Sequence, residues 1–379
     1  MRVGIDATVL HGRYTGVARA VAGLILALAE RDDDNDYYLY CGQEIPRLGD
    51  LPPSFRWRPM AFPASSRWRT ARWQQNDLDP FAQRDRVELL HCPAYVGPTR
   101  GRVPLVLSIY DLHVFTHPQY CSWLNRWHYR RVIPSAARRA KAIIVPSDAV
   151  AQTVVRRLSV PDRKVHTVRL ATESRFRHIQ AADILDDVRT ALDLPERFFL
   201  FVGNIEPRKG VPRMVEAFTR ARQRNKLEHK LLLAGKPGVR YREVRKRVQA
   251  LKAETHVREL GFVGDDVMPH LYNLATAVIC PAPWEGFGLP ALEAMACGTP
   301  VIASNSGALP EVCGDAALMV KADSVAELTY VWSVLLSTRY MWLPSSGSGS
   351  QLGEFAEHAR FLDAMSEVAK KEARKQGRI

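Results

Sequence analysis

The chain has 379 residues, of which 46% are hydrophobic and 25% are charged. This length is about twice that of a typical single domain and the composition is that of a globular protein, so we predict two α/β domains and exclude a chain dominated by disorder. The formal net charge of +13 indicates a negatively charged partner, which charge alone leaves open between nucleic acid, an anionic membrane surface and a phosphorylated substrate.

The cysteines and the apolar runs indicate a cytoplasmic protein. The six cysteines are scattered, with no CxxC pair and no Cys/His spacing typical of a zinc site. The opening MRVGIDATVL lacks the basic start and apolar stretch of a signal peptide, and no apolar run of about 18 residues is present to span a bilayer. A peripheral position at the inner face of the membrane stays open because of the positive charge.

Arginines alternate with tryptophans in FRWRPMAFPASSRWRTARW, residues 55–73. A helix lying on a membrane surface has this composition. We favour the alternative, in which a solvated arginine face covers tryptophans of the core.

The first half of the chain alternates short apolar runs with helical patterns. Residues 2–7 predict a buried strand, and a turn containing Gly12 and Gly16 leads into the helical pattern GVARAVAGLILALAER. Further strands are predicted at LLHCP (89–93), PLVLSIYD (104–111) and AKAIIVPS (140–147). This alternation predicts a parallel sheet covered on both faces, in a first domain over residues 1–175.

The pattern weakens into a polar segment and then restarts. We predict an interdomain linker over 176–196 and a second doubly wound domain over 197–342, which begins with FFLFVGN. Two such domains facing each other would leave a central cleft at the carboxyl ends of their strands, where open α/β sheets bind ligands. A Gly/Ser-rich break follows at 343–351, and an amphipathic helix over 352–379 is expected to pack back on the body of the protein, with the first domain as its candidate surface.

The segment EGFGLPALE, residues 285–293, predicts a glycine turn that leads into a helix. Gly286 and Gly288 permit close backbone approach, and Pro290 suits the first turn of a helix. The N-terminus of such a helix favours a phosphate, and Glu293 can accept hydrogen bonds from a ribose. A plain strand-to-helix turn with two surface glutamates remains the alternative.

The loop GNIEPRKG, residues 203–210, also joins a strand to a helix. Arg208 and Lys209 can neutralise a departing diphosphate without a metal ion, although surface charge at a helix start would give the same pattern. Two phosphate-suited loops in one sheet favour a phosphate-binding site over coincidence.

The run from GFVGDDVMPHLYNLATAVICPAPWEGFGLPALE to GDAALMV strongly resembles the retaining glycosyltransferases of family 4, which have the GT-B fold of two Rossmann-like domains. Their E-x7-E motif matches as Glu285 and Glu293. GNIEPRKG resembles the family's diphosphate loop, and GIDATVLHGRYTGVARAVAGL resembles its amino-terminal glycine loop. The likeness covers about residues 1–330.

The resemblance implies a role for each of these residues. The second domain would bind a nucleoside diphosphate sugar, GDP-mannose or a UDP-sugar, with a modest preference for mannose, and no cofactor would be required. Arg208, Lys209 and Glu285 are the implied catalytic residues. The implied donor-binding residues are Gly16, Asn204, Gly286, Phe287, Gly288, Leu289 and Glu293. The candidates on the acceptor side are Gly12, His91, Tyr110, Asp111 and His113.

Three departures from the family pattern stand out. Asn204 replaces an arginine that many members have, so Arg208 and Lys209 carry more of the charge. Tyr110-Asp111 replaces a common His-Asp pair, which His113 would replace only in part. The family's carboxyl-terminal pattern is not recognisable after about residue 335.

These inferences predict a retaining hexosyltransferase that acts on a glycan, a lipid-linked saccharide or a small glycoside, with no nucleic acid partner. A sugar-nucleotide epimerase of the same fold and a non-catalytic relative that binds sugar nucleotides or a membrane remain alternatives. No GxGxxG follows the first strand and no P-loop is present, which disfavours dinucleotide redox chemistry and ATP hydrolysis. The acidic cluster around Asp32 contains a D-x-D, which we interpret as a solvated turn.

Overall fold

The structure is a computed structural model that describes residues 1–11 and 15–337. Gly12, the Gly/Ser-rich break and the helix predicted over 352–379 lie outside the described residues. Within the described ranges, no helix combines the length and the apolar character needed to cross a membrane. The chain divides into two compact units, the first from Met1 to Leu170 and the second beginning at Ala171.

The described part of the first unit contains seven parallel strands and six α-helices. The strands are β1 (Arg2–Asp6), β2 (Asp36–Cys41), β3 (Phe55–Pro59), β4 (Leu89–Cys92), β5 (Leu105–Ser108), β6 (Ala142–Val145) and β7 (Val165–Thr167). The helices are α1 (Gly16–Arg31), α2 (Arg67–Asn76), α3 (Leu78–Arg84), α4 (His113–Thr116), α5 (Trp123–Arg139) and α6 (Asp148–Leu158). The strand order in the sheet is β3-β2-β1-β4-β5-β6-β7.

Side chains of this sheet alternate between two hydrophobic cores. Along β2, Tyr37 and Leu39 belong to one core, whereas Tyr38 and Tyr40 belong to the other. Successive side chains of a strand point to opposite faces, so a strand with helices on both sides is apolar throughout. This is the sheet covered on both faces that the sequence predicts.

The arginine and tryptophan segment forms β3 and α2. Trp73 is buried in the core, with 5% of its surface exposed, and Trp57 is half-buried. Trp68 is 72% exposed. The predicted arginine face over core tryptophans therefore describes part of the segment. The Asp32 carboxylate accepts hydrogen bonds from the backbone N–H groups of Asp34 and Asn35, as in the predicted solvated turn.

The described part of the second unit contains six parallel strands and seven α-helices. The strands are β8 (Phe198–Val202), β9 (Lys230–Ala234), β10 (Val257–Gly261), β11 (Ala277–Cys280), β12 (Val301–Ser304) and β13 (Leu318–Val320). The helices are α7 (Ala182–Ala191), α8 (Val211–Asn225), α9 (Tyr241–Ala250), α10 (Met268–Leu274), α11 (Leu289–Ala296), α12 (Leu309–Cys313) and α13 (Val325–Ser337). The strand order is β10-β9-β8-β11-β12-β13.

The segment over 176–196 differs from an open linker. It contains α7, and Phe176 is buried in the core of the second unit, where its ring lies edge-on to Tyr272 with 5.8 Å between the centroids. These contacts make the segment part of the second unit.

Each sheet reverses its direction of growth at one point. In the second unit the chain adds β9 and β10 on one side of β8, then returns to add β11, β12 and β13 on the other side. The loops that leave β8 and β11 therefore diverge from the same edge, at the kind of switch point where open α/β sheets bind ligands. In the first unit the corresponding pair is β1 and β4.

Candidate functional site

The loop after β8 is held in place by glycines. Gly210 ends the 3-10 turn Pro207–Lys209 with φ of 77°, and a Cβ atom there would lie 2.4 Å from the Pro281 carbonyl oxygen, just after β11. Gly235 follows β9, and its Cβ would lie 1.8 Å from the Gly203 carbonyl oxygen. A side chain at either position would collide with backbone. The glycines therefore let this loop contact the loops after both neighbouring strands.

Glu206 orients Arg208 from inside this loop. The Glu206 side chain is buried, and its Oε1 accepts hydrogen bonds from Arg208 Nε at 2.9 Å and Nη2 at 2.8 Å. Its Oε2 accepts from the backbone N–H of Val239 at 3.1 Å. A guanidinium held at two nitrogens keeps a defined plane, which suits recognition of phosphate oxygens. The exposed Asn204 precedes this cluster.

The loop after β11 turns into α11 as the sequence predicts. Gly288 caps the helix with φ of 101°, and its Cβ would lie 2.6 Å from Leu309 Cδ2. Gly286 and Phe287 are buried before it, and α11 begins at Leu289. Because the backbone N–H groups of a first helical turn carry partial positive charge, this helix start favours an anion.

The two loops meet through a pair of charged side chains. Lys209 Nζ lies 2.5 Å from Glu285 Oε1, and each side chain is 20% exposed. The Glu285 backbone is held in turn, since its carbonyl oxygen accepts a hydrogen bond from the N–H of Ala308 at 3.0 Å. The structure thus places one predicted cation and one predicted carboxylate together at the switch point.

Glu293 lies inside the second unit. It is 2% exposed, and its Oε2 accepts a hydrogen bond from the Tyr272 hydroxyl at 2.7 Å. Tyr272 belongs to α10 and is itself fully buried. The predicted contact of Glu293 with a ribose stays a prediction, and the structure adds that the carboxylate is oriented by a tyrosine.

Cys280 ends β11 beneath this cluster. Burial raises the pKa of its thiol well above the ordinary value, and the nearby Cys313 and Glu285 add to the effect. The thiol is therefore protonated at neutral pH and is a poor nucleophile. The charged side chains, and not this thiol, are therefore the candidates for chemistry at this site.

The first unit places His91 in its interior. His91 Nε2 lies 2.8 Å from the Ser108 hydroxyl oxygen, between the ends of β4 and β5. Burial lowers the pKa of the imidazole to about 4, so the ring is neutral at physiological pH. A role of His91 toward an acceptor stays a prediction.

Tyr110, Asp111 and His113 follow β5. Asp111 Oδ1 accepts a hydrogen bond from the backbone N–H of His113 at 3.1 Å and lies 2.6 Å from its Nδ1. The Tyr110 ring lies edge-on to Tyr95, and burial raises the pKa of its hydroxyl to about 12. The structure thus brings Asp111 and His113 together, an aspartate–histidine pair assembled from residues two positions apart.

Gly16 is the first residue of α1. The Thr15 hydroxyl caps this helix by accepting a hydrogen bond from the N–H of Ala18 at 3.2 Å, and a Cβ at Gly16 would meet open space. Steric crowding within the described residues therefore gives no reason for a glycine here. Its predicted contact with a donor stays a prediction.

Three further residues shape these strand edges and were not singled out from the sequence. Glu206 and Tyr272 orient Arg208 and Glu293, as described above. Asp6 ends β1, is buried, and accepts hydrogen bonds from the Thr8 hydroxyl at 2.7 Å and from Gln74 Nε2 at 2.7 Å. Glu206 lies within the GNIEPRKG loop that the sequence singles out, whereas only the packing reveals the roles of Tyr272 and Asp6.

Comparison with known proteins places this architecture in a family. The family model described as "Glycosyltransferase Family 4" matches residues 14–172, and that described as "Glycosyl transferases group 1" matches residues 185–333. The O-antigen chain mannosyltransferase B of Escherichia coli is 30% identical over 328 residues, which cover 82% of this chain and 84% of that protein. The chain belongs to glycosyltransferase family 4. It is therefore a glycosyltransferase, as the sequence motifs predict.

Solved structures confirm the predicted GT-B fold of this family 4 protein. The sucrose-phosphate synthase of Thermosynechococcus elongatus superimposes with a TM-score of 0.70 at 19% identity, covering 99% of this chain and 98% of that chain. The Anabaena protein Alr3699/HepE, solved in complex with UDP and glucose, gives a TM-score of 0.67 at 16% identity, covering 100% of this chain and 99% of that chain. At these identities the likeness concerns the fold.

Proposed function

We propose that this family 4 enzyme transfers a mannosyl group from a nucleoside diphosphate sugar to a hydroxyl group of a saccharide, with retention of the anomeric configuration. The observation that carries the proposal is the meeting of Lys209 and Glu285 at the switch point of the second unit, beside the start of α11. The preference for mannose is supported by the likeness to the Escherichia coli mannosyltransferase. A nucleotide donor is supported by the fold neighbour solved with UDP.

The charged groups of the second unit suit the leaving diphosphate. Lys209 and Arg208 lie on one loop, and each is held by a carboxylate, Glu285 and Glu206 respectively. Cations fixed before the reaction stabilise the developing charge of a leaving group without reorganising, and in many enzymes this stabilisation contributes most of the rate enhancement. We propose that these two cations and the start of α11 bind the diphosphate, so that no metal ion is required.

The proposed reaction needs no strong protein base. The bond from the anomeric carbon to the diphosphate oxygen breaks, and the acceptor oxygen bonds to the same face of that carbon. The acceptor proton passes to an oxygen of the leaving phosphate. Glu285 is proposed to lie beside the transferred sugar and Glu293 beside the ribose, so that the work of the protein is positioning and charge stabilisation.

The acceptor and the location are inferred from the likeness to a relative and from the charge of the chain. A saccharide or a lipid-linked saccharide in the cytoplasm fits the likeness to an O-antigen chain mannosyltransferase. The formal net charge of +13 favours a peripheral position at an anionic membrane. The contribution of Tyr110, Asp111 and His113 to acceptor binding stays a prediction.

A panel of GDP-, UDP-, ADP- and dTDP-sugars tests the donor. A ligand at about 100 times its dissociation constant adds roughly 2.7 kcal/mol of stability, which a thermal-shift measurement resolves. We expect GDP-mannose to give the largest shift. Stabilisation by no nucleotide sugar in the panel would contradict the proposal.

Incubation of the enzyme with the selected donor tests the reaction class. Without an acceptor, we expect slow hydrolysis of the donor to nucleoside diphosphate and free mannose. With a mannoside acceptor, we expect a product whose anomeric proton signal in NMR shows the same configuration as the donor. An isomerised sugar nucleotide would indicate an epimerase. Binding without any turnover would indicate a non-catalytic relative.

A further inference from the structure

The amino-terminal half of α5 exposes large apolar side chains. Trp123 is 68% exposed, Leu124 is 44% exposed and Trp127 is 56% exposed. Residues three and four apart on a helix lie on one face, so these side chains form a single stripe. The buried side of the same helix is formed farther along, by Ile133 and Ala136. Scattered exposed hydrophobic residues are ordinary, but a cluster of this kind marks an interaction surface.

Arginines surround this stripe, and carboxylates are missing from it. Arg126, Arg130 and Arg131 are exposed, and the Arg131 guanidinium lies 4.0 Å from the centroid of the Trp127 ring. Residues 112–147 contain six lysines and arginines and no aspartate or glutamate. Among the residues that the structure describes, no carboxylate forms an ion pair with any of these three arginines. The stripe is therefore apolar, and the positive charge of the arginines beside it is not neutralised by ion pairs with carboxylates of the described residues.

We infer that this stripe, formed by Trp123, Leu124 and Trp127 with the three arginines, docks the protein on an anionic lipid bilayer. Tryptophan prefers the interface between headgroups and acyl chains, where an apolar ring and a polar N–H are both accommodated. Arginines beside it are attracted by anionic headgroups. A helix with both features lies in the plane of the interface.

The arginine and tryptophan segment that the sequence suggested for this role is a poorer candidate. Trp73 of α2 is buried, and Arg56 and Arg58 of β3 form ion pairs with Asp36 and Asp85. Trp68 is the one tryptophan of α2 that is strongly exposed, whereas α5 exposes two tryptophans and a leucine on one face.

Vesicle binding tests the inference without a donor or an acceptor, so its result does not depend on the proposed mannosyl transfer. The full-length protein is sedimented with vesicles of mixed phosphatidylglycerol and phosphatidylcholine, and with vesicles of phosphatidylcholine alone. We expect strong binding to the anionic vesicles, which weakens as the salt concentration rises because surface attraction is screened.

Two variants of the stripe separate its apolar and charged parts. Replacing Trp123, Leu124 and Trp127 together by serine removes the side chains that enter the interface, and replacing Arg126, Arg130 and Arg131 together by glutamine removes the charge. Each variant is expected to lower the vesicle partition coefficient by on the order of a hundredfold. Unchanged circular dichroism and an unchanged Tm would show that these exposed substitutions leave the fold intact.

A second basic helix provides the matched control. Arg242, Arg245 and Lys246 are exposed on α9 of the second unit, where no exposed tryptophan accompanies them. Their joint replacement by glutamine removes the same formal charge as the arginine variant of α5. We expect the α9 variant to change vesicle binding only severalfold, because net charge alone acts over the whole surface.

Three results would overturn the inference. Equal binding to neutral and anionic vesicles would show that charge plays no part. A loss of vesicle binding in the α9 variant as large as in the arginine variant of α5 would show that only the net charge of the protein matters. Concentration-dependent self-association that the serine variant abolishes would make the stripe an interface between copies of this chain. Donor hydrolysis in the absence of vesicles is expected to be unchanged in the α5 variants, which keeps membrane binding separate from catalysis.

Discussion

Lys209 Nζ and Glu285 Oε1 lie 2.5 Å apart although 76 positions separate the two residues in the chain. They meet because β8 and β11 are parallel neighbours whose following loops leave the same edge of the sheet. Each side chain is four-fifths buried, so solvent screens the pair less than it would at the surface. A diphosphate that binds here has to share Lys209 with Glu285.

Replacing Lys209 by alanine is expected to slow transfer by on the order of a hundredfold or more, the scale of losing one fixed group that stabilises charge in the transition state. The measurement is kcat with saturating donor. Lys230→Ala is the matched control, because Lys230 is exposed at the opposite end of a strand in the same sheet and should leave kcat unchanged.

The double variant Lys209→Ala with Glu285→Gln separates two explanations of that loss. The single variant leaves the Glu285 carboxylate without its cation, which by itself would repel a diphosphate. If repulsion were the whole effect, the glutamine would restore donor affinity to the level of the Glu285→Gln variant. We expect no such recovery, because Lys209 is proposed to contact the diphosphate itself.

The hydrogen bond between Tyr272 and Glu293 predicts different effects on stability and on donor binding. Glu293→Ala removes the carboxylate to which the buried Tyr272 hydroxyl donates, and it should lower the free energy of unfolding by about 1–3 kcal/mol. The same substitution should also weaken donor binding. Tyr272→Phe leaves the buried Glu293 carboxylate without this donor, so it should lower stability at least as much while it weakens donor binding only slightly. Calorimetric titration with the donor and chemical denaturation give the two readouts. An unchanged donor affinity in the Glu293→Ala variant would contradict the proposed contact of Glu293 with the donor.

Gly210→Ala should destabilise the second unit and weaken donor binding together. Its φ of 77° disfavours a side chain, and the added Cβ would lie 2.4 Å from the Pro281 carbonyl oxygen, so the loop carrying Lys209 has to move. Gly49 has a φ of 79° in the first unit, with open space where its Cβ would lie. Gly49→Ala therefore measures the cost of the backbone conformation alone, about 1 kcal/mol. An equal Tm loss in both variants would contradict the steric argument.

His91 makes stability depend on pH below neutrality. Burial lowers the pKa of the folded-state imidazole to about 4, whereas the unfolded chain titrates near 6.5. Between these values the unfolded state binds more protons, so stability falls as the pH is lowered from about 6.5 to 4. The contribution is on the order of 1 kcal/mol per pH unit.

The variant His91→Gln keeps a polar group within reach of Ser108 and does not titrate. Denaturation at several pH values should show a shallower fall in stability for this variant than for the wild type, while the other histidines contribute equally to both. Parallel curves for the two proteins would contradict a buried neutral His91.

The sequence by itself determined the repeating β/α pattern, the two Rossmann-like sheets and the E-x7-E segment that begins a helix after β11. These features are local, because hydrophobic periodicity, a glycine before a helix and a proline in its first turn act within a few residues. The tertiary structure decided which distant residues meet. Lys209 faces Glu285, and Tyr272 orients Glu293, only because of the order in which the strands pair.

The same distinction explains the tryptophans. The sequence places Trp57, Trp73 and Trp127 in similar arginine-rich surroundings. In the folded chain, Trp73 is buried and Trp127 is exposed. Whether a side chain is buried depends on which other element covers it, and that is a long-range property that no local pattern encodes.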